Sequence, residues 1–202
     1  MSLELPSPHR LMGVESLFEF SELRIRQPGK MLAGRASYEI SDDRRRLLAV
    51  ATEVEARTVL DKITKLLPDS RTLAVTSPDG EYLFTLSLQS AKWVAELADP
   101  DGTLLGKVKI GGSRRHYTLL DSDGEVIGEA VGDLAVRRFT VMAPGHPPFA
   151  EVRKTFAGPV KEAFTSSDNY TVKFATTTVP PLTRTLTVMV PIVLDLARYG
   201  PA

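Results

Sequence analysis

The chain has no cysteine among its 202 residues, so disulfides, thiolate metal sites, cysteine nucleophiles and palmitoyl anchors are excluded by composition. It has no surplus of charge: 25 basic and 25 acidic side chains cancel. That removes the global electrostatic argument for a nucleic-acid partner and leaves only local clusters to attract an anion. The opening MSLELPSPHRLMGVESLFEF lacks the basic n-region and apolar h-region of a secretory signal. The expected location is therefore cytoplasmic, and Asn169-Tyr170-Thr171 is not expected to carry sugar. Nucleophile elbows, Walker loops, His-Glu-x-x-His and Gly-x-Gly-x-x-Gly are all missing. His9, His116 and His146 fall in a tail, a strand start and a turn, without metal-ligand spacing. The expectation is a protein that is not an enzyme and uses no cofactor or metal.

What is present is ordinary for one soluble domain, with 43% hydrophobic and 25% charged residues. Its organisation is periodic. Ser77-Pro-Asp-Gly80, Asp99-Pro-Asp-Gly102 and Asp121-Ser-Asp-Gly124 place glycines 22 residues apart, and Ala143-Pro-Gly-His146 continues the step. Ahead of each turn, apolar residues alternate: Leu73 and Val75, Ala95 and Leu97, Tyr117 and Leu119, Phe139 and Val141. This is the period of a strand buried on one face. Behind the turns come Leu83, Leu105, Ile127 and Phe149, then Leu86, Val108, Ala130 and Val152, a spacing of three that breaks the alternation. With Gly106 and Gly128 between two of these pairs, the pattern predicts bulged strands. Strand, Asp-Gly turn, strand reads as a hairpin, and four in succession read as an antiparallel meander that has to close to hide its edges.

Further strands are expected at Phe18–Arg26, Ala36–Ile40 and Leu47–Glu53, and an amphipathic helix at about 55–67, ended by Pro68. Leu186–Leu194 is apolar on every side but closed by Arg184 and by Asp195 and Arg198. A membrane span needs about 20 apolar residues, so the run is too short. A helix apolar all round is otherwise buried, which predicts a C-terminal helix, about 182–198, threaded through the barrel. Pro191 is expected to kink it. The domain reading is a tail over 1–15 and one barrel over 16–200.

Several stretches carry a resemblance: Arg153-Lys-Thr-Phe156, Lys161-Glu-Ala-Phe164, Asp168-Asn-Tyr170 and Val193-Leu-Asp-Leu196, with Ile25-Arg-Gln-Pro28 and Tyr38-Glu-Ile-Ser-Asp42 upstream. In these the chain resembles the bacterial relatives of the phospholipid scramblases and the plant LURP-one-related proteins, which share the Tubby-like fold. The resemblance implies a mainly β fold: a closed antiparallel barrel of about twelve strands around a hydrophobic C-terminal helix. In animal scramblases, the region matching Ser166 to Val179 carries an acidic loop proposed to bind calcium. Here Asp168 keeps the first position, but Thr176, Thr177, Thr178 and Val179 stand where further carboxylates would be. Calcium takes about six to eight oxygen ligands, so calcium dependence is not expected.

The remaining candidates are basic. Arg24, Arg26, Lys30 and Arg35 surround the first turn, Arg44, Arg45 and Arg46 fill the second, and Arg71, Arg115 and Arg137 share one phase of the repeat. In-phase residues on successive hairpins can share one rim, and such a rim suits anionic lipid headgroups. The bland alternative is half-solvated strands whose cations pair with the equally numerous acids. Trp93, the sole tryptophan, together with Phe18, Phe20, Phe139, Phe149 and Tyr170, is expected in the core or wall. Two functions stay open: peripheral binding to an anionic phospholipid surface, or a structural or regulatory protein-interaction module. A small-molecule binder or hydrolase is weakened, because the helix should fill the lumen.

Overall fold

The computed structural model describes residues 19–28, 36–54, 70–155, 169–176 and 178–198. Its strands are β1 (Glu22–Arg26), β2 (Ser37–Asp42), β3 (Leu47–Val54), β4 (Ser70–Thr76), β5 (Tyr82–Gln89), β6 (Val94–Ala98), β7 (Leu104–Ile110), β8 (His116–Asp121), β9 (Val126–Gly132), β10 (Arg138–Met142), β11 (Pro148–Thr155) and β12 (Asn169–Phe174). Each pairs antiparallel with its neighbours in sequence, and β1 pairs with β12 to close the barrel. One helix, α1 (Pro181–Arg198), follows. The helix expected at about 55–67 lies outside the described residues, as does the turn around Asp168.

The broken alternation behind each turn has a structural counterpart. Register shifts by one residue where Thr76 meets Tyr82, Ala98 meets Leu104, Leu120 meets Val126 and Met142 meets Pro148. The extra residues are Leu83, Leu105, Ile127 and Phe149, the same four that broke the pattern. A fifth bulge, at Leu48 opposite Ile40 and Ser41, lies outside the 22-residue series. A bulge bends its strand and steepens the twist, so five at one end of the barrel help to curl the sheet shut.

The lumen is filled by α1. Leu186, Val188, Met189, Val190, Ile192, Val193, Leu194 and Leu196 are wholly buried, each worth about 1.5–3 kcal/mol over exposure. The helix is continuous across Pro191, so the proline does not end it. Pro191 is itself buried, and packing of α1 on every side within the wall outweighs the one backbone donor that proline lacks. Polar contacts at both ends set the helix in place. The Tyr170 hydroxyl donates to Asp195 Oδ1 at 2.6 Å in the core. At the other end Arg184, 4% exposed, donates to the carbonyls of Phe20 at 2.6 Å and Thr176 at 3.3 Å. Its guanidinium lies 3.9 Å from the centre of the Phe174 ring. Burial lowers the Arg184 pKa from its ordinary value, and Glu19 acts in the opposite sense.

The outer wall is polar. Glu151 is held by Arg138 and by Arg153, at 2.7 Å from the latter, and Glu22 is bridged by Lys173 at 3.0 Å and Arg24 at 3.3 Å. A membrane-spanning barrel has the reverse arrangement, an apolar band outside and a polar interior. Among the described residues, no helix is long and apolar enough to cross a membrane.

Two outcomes follow from this packing. A Cβ on Gly106 would lie 2.7 Å from the Leu120 carbonyl and 3.1 Å from Leu186 Cδ1, whereas one on Gly112 meets nothing within 4 Å. Gly106→Ala should therefore cost about 1–3 kcal/mol, read as a lower urea midpoint, and Gly112→Ala should leave the midpoint unchanged. Burial opposes the Glu151 carboxylate, but Arg138 and Arg153 outweigh it and hold its pKa below the ordinary 4.5; Lys173 chiefly does the same for Glu22. A folded-state pKa below the unfolded one contributes stability at neutral pH that is lost as pH falls through the carboxylate range. Glu151→Gln should thus flatten the fall in urea midpoint between about pH 5 and pH 3, by about 0.5–1 kcal/mol for so exposed a cluster.

Candidate functional site

Because the strands alternate in direction, the described turns fall at two rims. One, where α1 begins, carries the turns after β2, β4, β6, β8 and β10. The other, where α1 ends, carries the turns after β5, β7 and β9.

The first rim is acidic because its turns need acceptor side chains. Asp99 Oδ1 accepts from the backbone N–H of Asp101 at 2.9 Å and Thr103 at 2.8 Å, and Asp121 repeats this with Asp123 and Glu125 at 3.0 and 2.8 Å. Ser77 and Asp42 serve the turns after β4 and β2. Gly80, Gly102, Gly124 and Gly145 take φ between 72° and 88°, and Arg45 takes φ 66° in the equivalent place, as a three-residue hairpin loop requires. Asp79 and Glu81, Asp99 and Asp101, and Asp121, Asp123 and Glu125 consequently stand side by side. Between this rim and the start of α1 lies a groove of about 920 Å³, lined by Val126, Ile127, Pro147, Phe149, Val179 and Leu182 among others.

The second rim is basic. Lys92 and Trp93 form the turn after β5, Arg114 and Arg115 that after β7, and Leu134 and Arg137 that after β9. Lys92, Arg114 and Arg137 are exposed. The acid in these turns, Asp133, is committed to its own loop: Oδ1 accepts from the Arg137 N–H at 2.8 Å, and this bond chiefly lowers its pKa. Trp93, Arg114 and Val136 have φ of 53°, 53° and 54°, a region where side chains other than glycine are uncommon and a β-branched one is an outlier. The carbonyls of Trp93, Arg115 and Arg137 accept from Ile110, Gly132 and Lys154 at 2.8, 2.6 and 2.7 Å, so the 22-residue step is preserved here too. Toward the lumen, Arg71 bonds Glu53 at 2.7 Å, each side chain 17% exposed, and donates to the Leu196 carbonyl at 3.3 Å. A cation on the last carbonyls of a helix is favoured by its dipole. The Glu53 bond raises the Arg71 pKa. Deeper still, burial pushes the Tyr117 phenol well above its ordinary value.

The basic residues singled out from sequence are therefore dispersed. Arg24 and Arg26 face outward and pair with Glu22 and with Glu39, the latter at 2.7 Å. Lys30 and Arg35 lie outside the described residues. Arg44, Arg45 and Arg46 sit at the acidic rim, where Arg46 pairs with Asp42 at 3.2 Å and lies over Phe20. Arg71, Arg115 and Arg137 occupy the basic rim. One expectation is corrected: Trp93 is 41% exposed rather than packed in the wall. Its turn holds it ahead of the start of β6, and its ring stacks with Arg114 at 4.8 Å. A signal existed, because Trp93 occupies the step between Arg71 and Arg115 in the same repeat. Lys92 and Arg114 share the neighbouring phase of that repeat, 22 residues apart, and carried the same signal, whereas Leu134 carried none. Among the described residues, no group of three or more His, Cys, Asp or Glu could hold a metal ion.

Comparison with known proteins gives one family. The model of the family described as Scramblase matches residues 64–199, more than half of the chain. No curated protein matches. Among solved structures, a porin-like protein from Bacteroides uniformis aligns over 78% of this chain and 96% of its own at 8% identity and a TM-score of 0.27, too distant to bear on fold or function.

The rim geometry makes Arg71 a structural cation. Arg71→Met should cost about 2–4 kcal/mol, because Glu53 loses its main partner in a largely buried site. Adding Glu53→Leu should recover part of that loss, measured as urea midpoints of the single and double variants.

Proposed function

The chain belongs to the Scramblase family, and on that premise we propose that it is a binding module that attaches peripherally to anionic phospholipid surfaces. The observation that carries this reading is the separation of charge along the barrel. A chain with no net charge has an acidic rim and, at the opposite end, turns carrying Lys92, Arg114, Arg115 and Arg137. Each cation near an anionic leaflet is worth about 1 kcal/mol, so these four, less the Asp133 carboxylate in the same turns, supply about 3 kcal/mol. That corresponds to a dissociation constant of about 6 mM before any apolar contact, which is weak, reversible and salt-sensitive attachment. Binding is favoured over transport or catalysis because α1 occupies the lumen and the outer wall carries ion pairs. The same reading has the protein act from the cytoplasm at the inner membrane face, without calcium. The groove at the acidic rim favours a second reading, a protein-interaction module without lipid affinity.

Sedimentation with vesicles separates the two. Vesicles rich in phosphatidylserine should carry the protein down at low salt, and neutral phosphatidylcholine vesicles should not. Binding should vanish as the screening length shrinks from about 30 Å at 0.01 M salt to about 3 Å at 1 M. No sedimentation at low salt would sink the lipid reading.

A further inference from the structure

We infer that the barrel docks end-on: the rim where α1 ends faces the anionic bilayer, Trp93 and Leu134 enter the headgroup layer, and the acidic rim is held away in solvent. This rests on the lipid reading above and adds an orientation and an insertion depth to it.

Charge alone places the basic rim nearest an anionic surface, and the exposed apolar residues add the second half of the argument. Leu134, in the turn between β9 and β10, is 88% exposed, and Trp93, between β5 and β6, is 41% exposed. Single exposed apolar residues are common and mean little. Here they share three consecutive turns with Lys92, Arg114, Arg115 and Arg137, and Val131, 43% exposed, stands just behind. Strands β5 to β10 are consecutive neighbours in the barrel. At about 4.8 Å between strands, the three tips form one arc about 20 Å long, with a cation-bearing turn between two that carry an apolar side chain. Trp93 stacks on Arg114 at 4.8 Å, so a single pair presents an amphipathic ring and a phosphate-binding fork to the same depth. Tryptophan belongs at this level of a bilayer, and guanidinium pairs with phosphate in bidentate fashion. The other rim offers Leu47 and Val126, 38% and 43% exposed, but among the carboxylates of its Asp-Gly turns an anionic surface repels it. An acidic protein would match the cations of the basic rim but would not draw a leucine and a tryptophan into an acyl environment.

Trp93 is the only tryptophan, so its emission reports on this turn without labelling. On titration with phosphatidylserine vesicles, the emission should shift to the blue and be quenched by lipids brominated on their acyl chains. Leu134→Asp should weaken vesicle affinity by about tenfold. Reversing Arg114 and Arg137 to glutamate should abolish binding, and reversing Arg44 and Arg45 at the far rim should leave it intact. Circular dichroism checks that each variant is folded. Vesicle binding with no shift in Trp93 emission, or binding lost only on reversal of Arg44 and Arg45, would overturn end-on docking while leaving lipid attachment standing. Binding that needs Arg114 and Arg137 but tolerates Leu134→Asp would overturn insertion in favour of adsorption by charge. Failure to bind any anionic vesicle removes both.

Discussion

A sheet of twelve strands that closes on itself leaves a lumen wider than its own side chains can fill, and everything else in this molecule follows from how that lumen is occupied. The occupant must be apolar on every side, because it meets wall in all directions. Residues Leu186 to Leu196 supply that surface, with Thr187 and Asp195 as buried polar exceptions. An apolar helix in an apolar tube is free to slide and rotate. The Tyr170–Asp195 bond, the hold of Arg71 on the Leu196 carbonyl and the hold of Arg184 on Phe20 and Thr176 fix its depth and rotation. The bulges curve the wall around it, and Gly106 lets β7 approach Leu186 closely.

Filling the lumen leaves the surface as what a partner can meet, and the surface is not uniform. The acidic rim is in part a consequence of folding, since hairpin loops of this kind use aspartate to accept backbone N–H groups and glycine to take positive φ. The basic rim uses the same device once, at Asp133. Its turns place tryptophan, arginine and valine in the left-handed region, each more costly there than glycine or asparagine would be. Val136 offsets that cost by packing against the core, and the turns combine exposed apolar groups with cations.

The architecture was legible in the residues to an unusual degree. The 22-residue step located four hairpins, and the three-residue spacing behind the turns, with Gly106 and Gly128 in two of the units, pointed to bulges, of which the series has four. The short apolar run that could not span a membrane located the lumen helix. Pro191 does not end the helix, because propensity rules describe a helix in isolation, whereas this one is held on all sides. The stretch from Asp168 to Thr171, weighed in sequence as a sugar acceptor and as part of a calcium loop, contributes at Tyr170 a buried hydroxyl that ties the wall to Asp195. The candidate surface was less legible. Arg44, Arg45 and Arg46 draw the eye because contiguous charges are easy to see, yet they share a rim with the acidic turns. Trp93 was expected inside because alternation says which way a residue points, not whether a wall still stands in front of it at a strand's end.

The sequence by itself determined the strand period, the bulges, the turn chemistry and the need for a buried helix, because each of these is a local matter of side-chain alternation, backbone conformation and apolar length. Only the tertiary structure decided which turns share a rim. A net charge of zero says nothing about direction, and direction appears only when antiparallel closure sends the Asp-Gly turns to one end of the barrel and the Lys, Arg and Trp turns to the other.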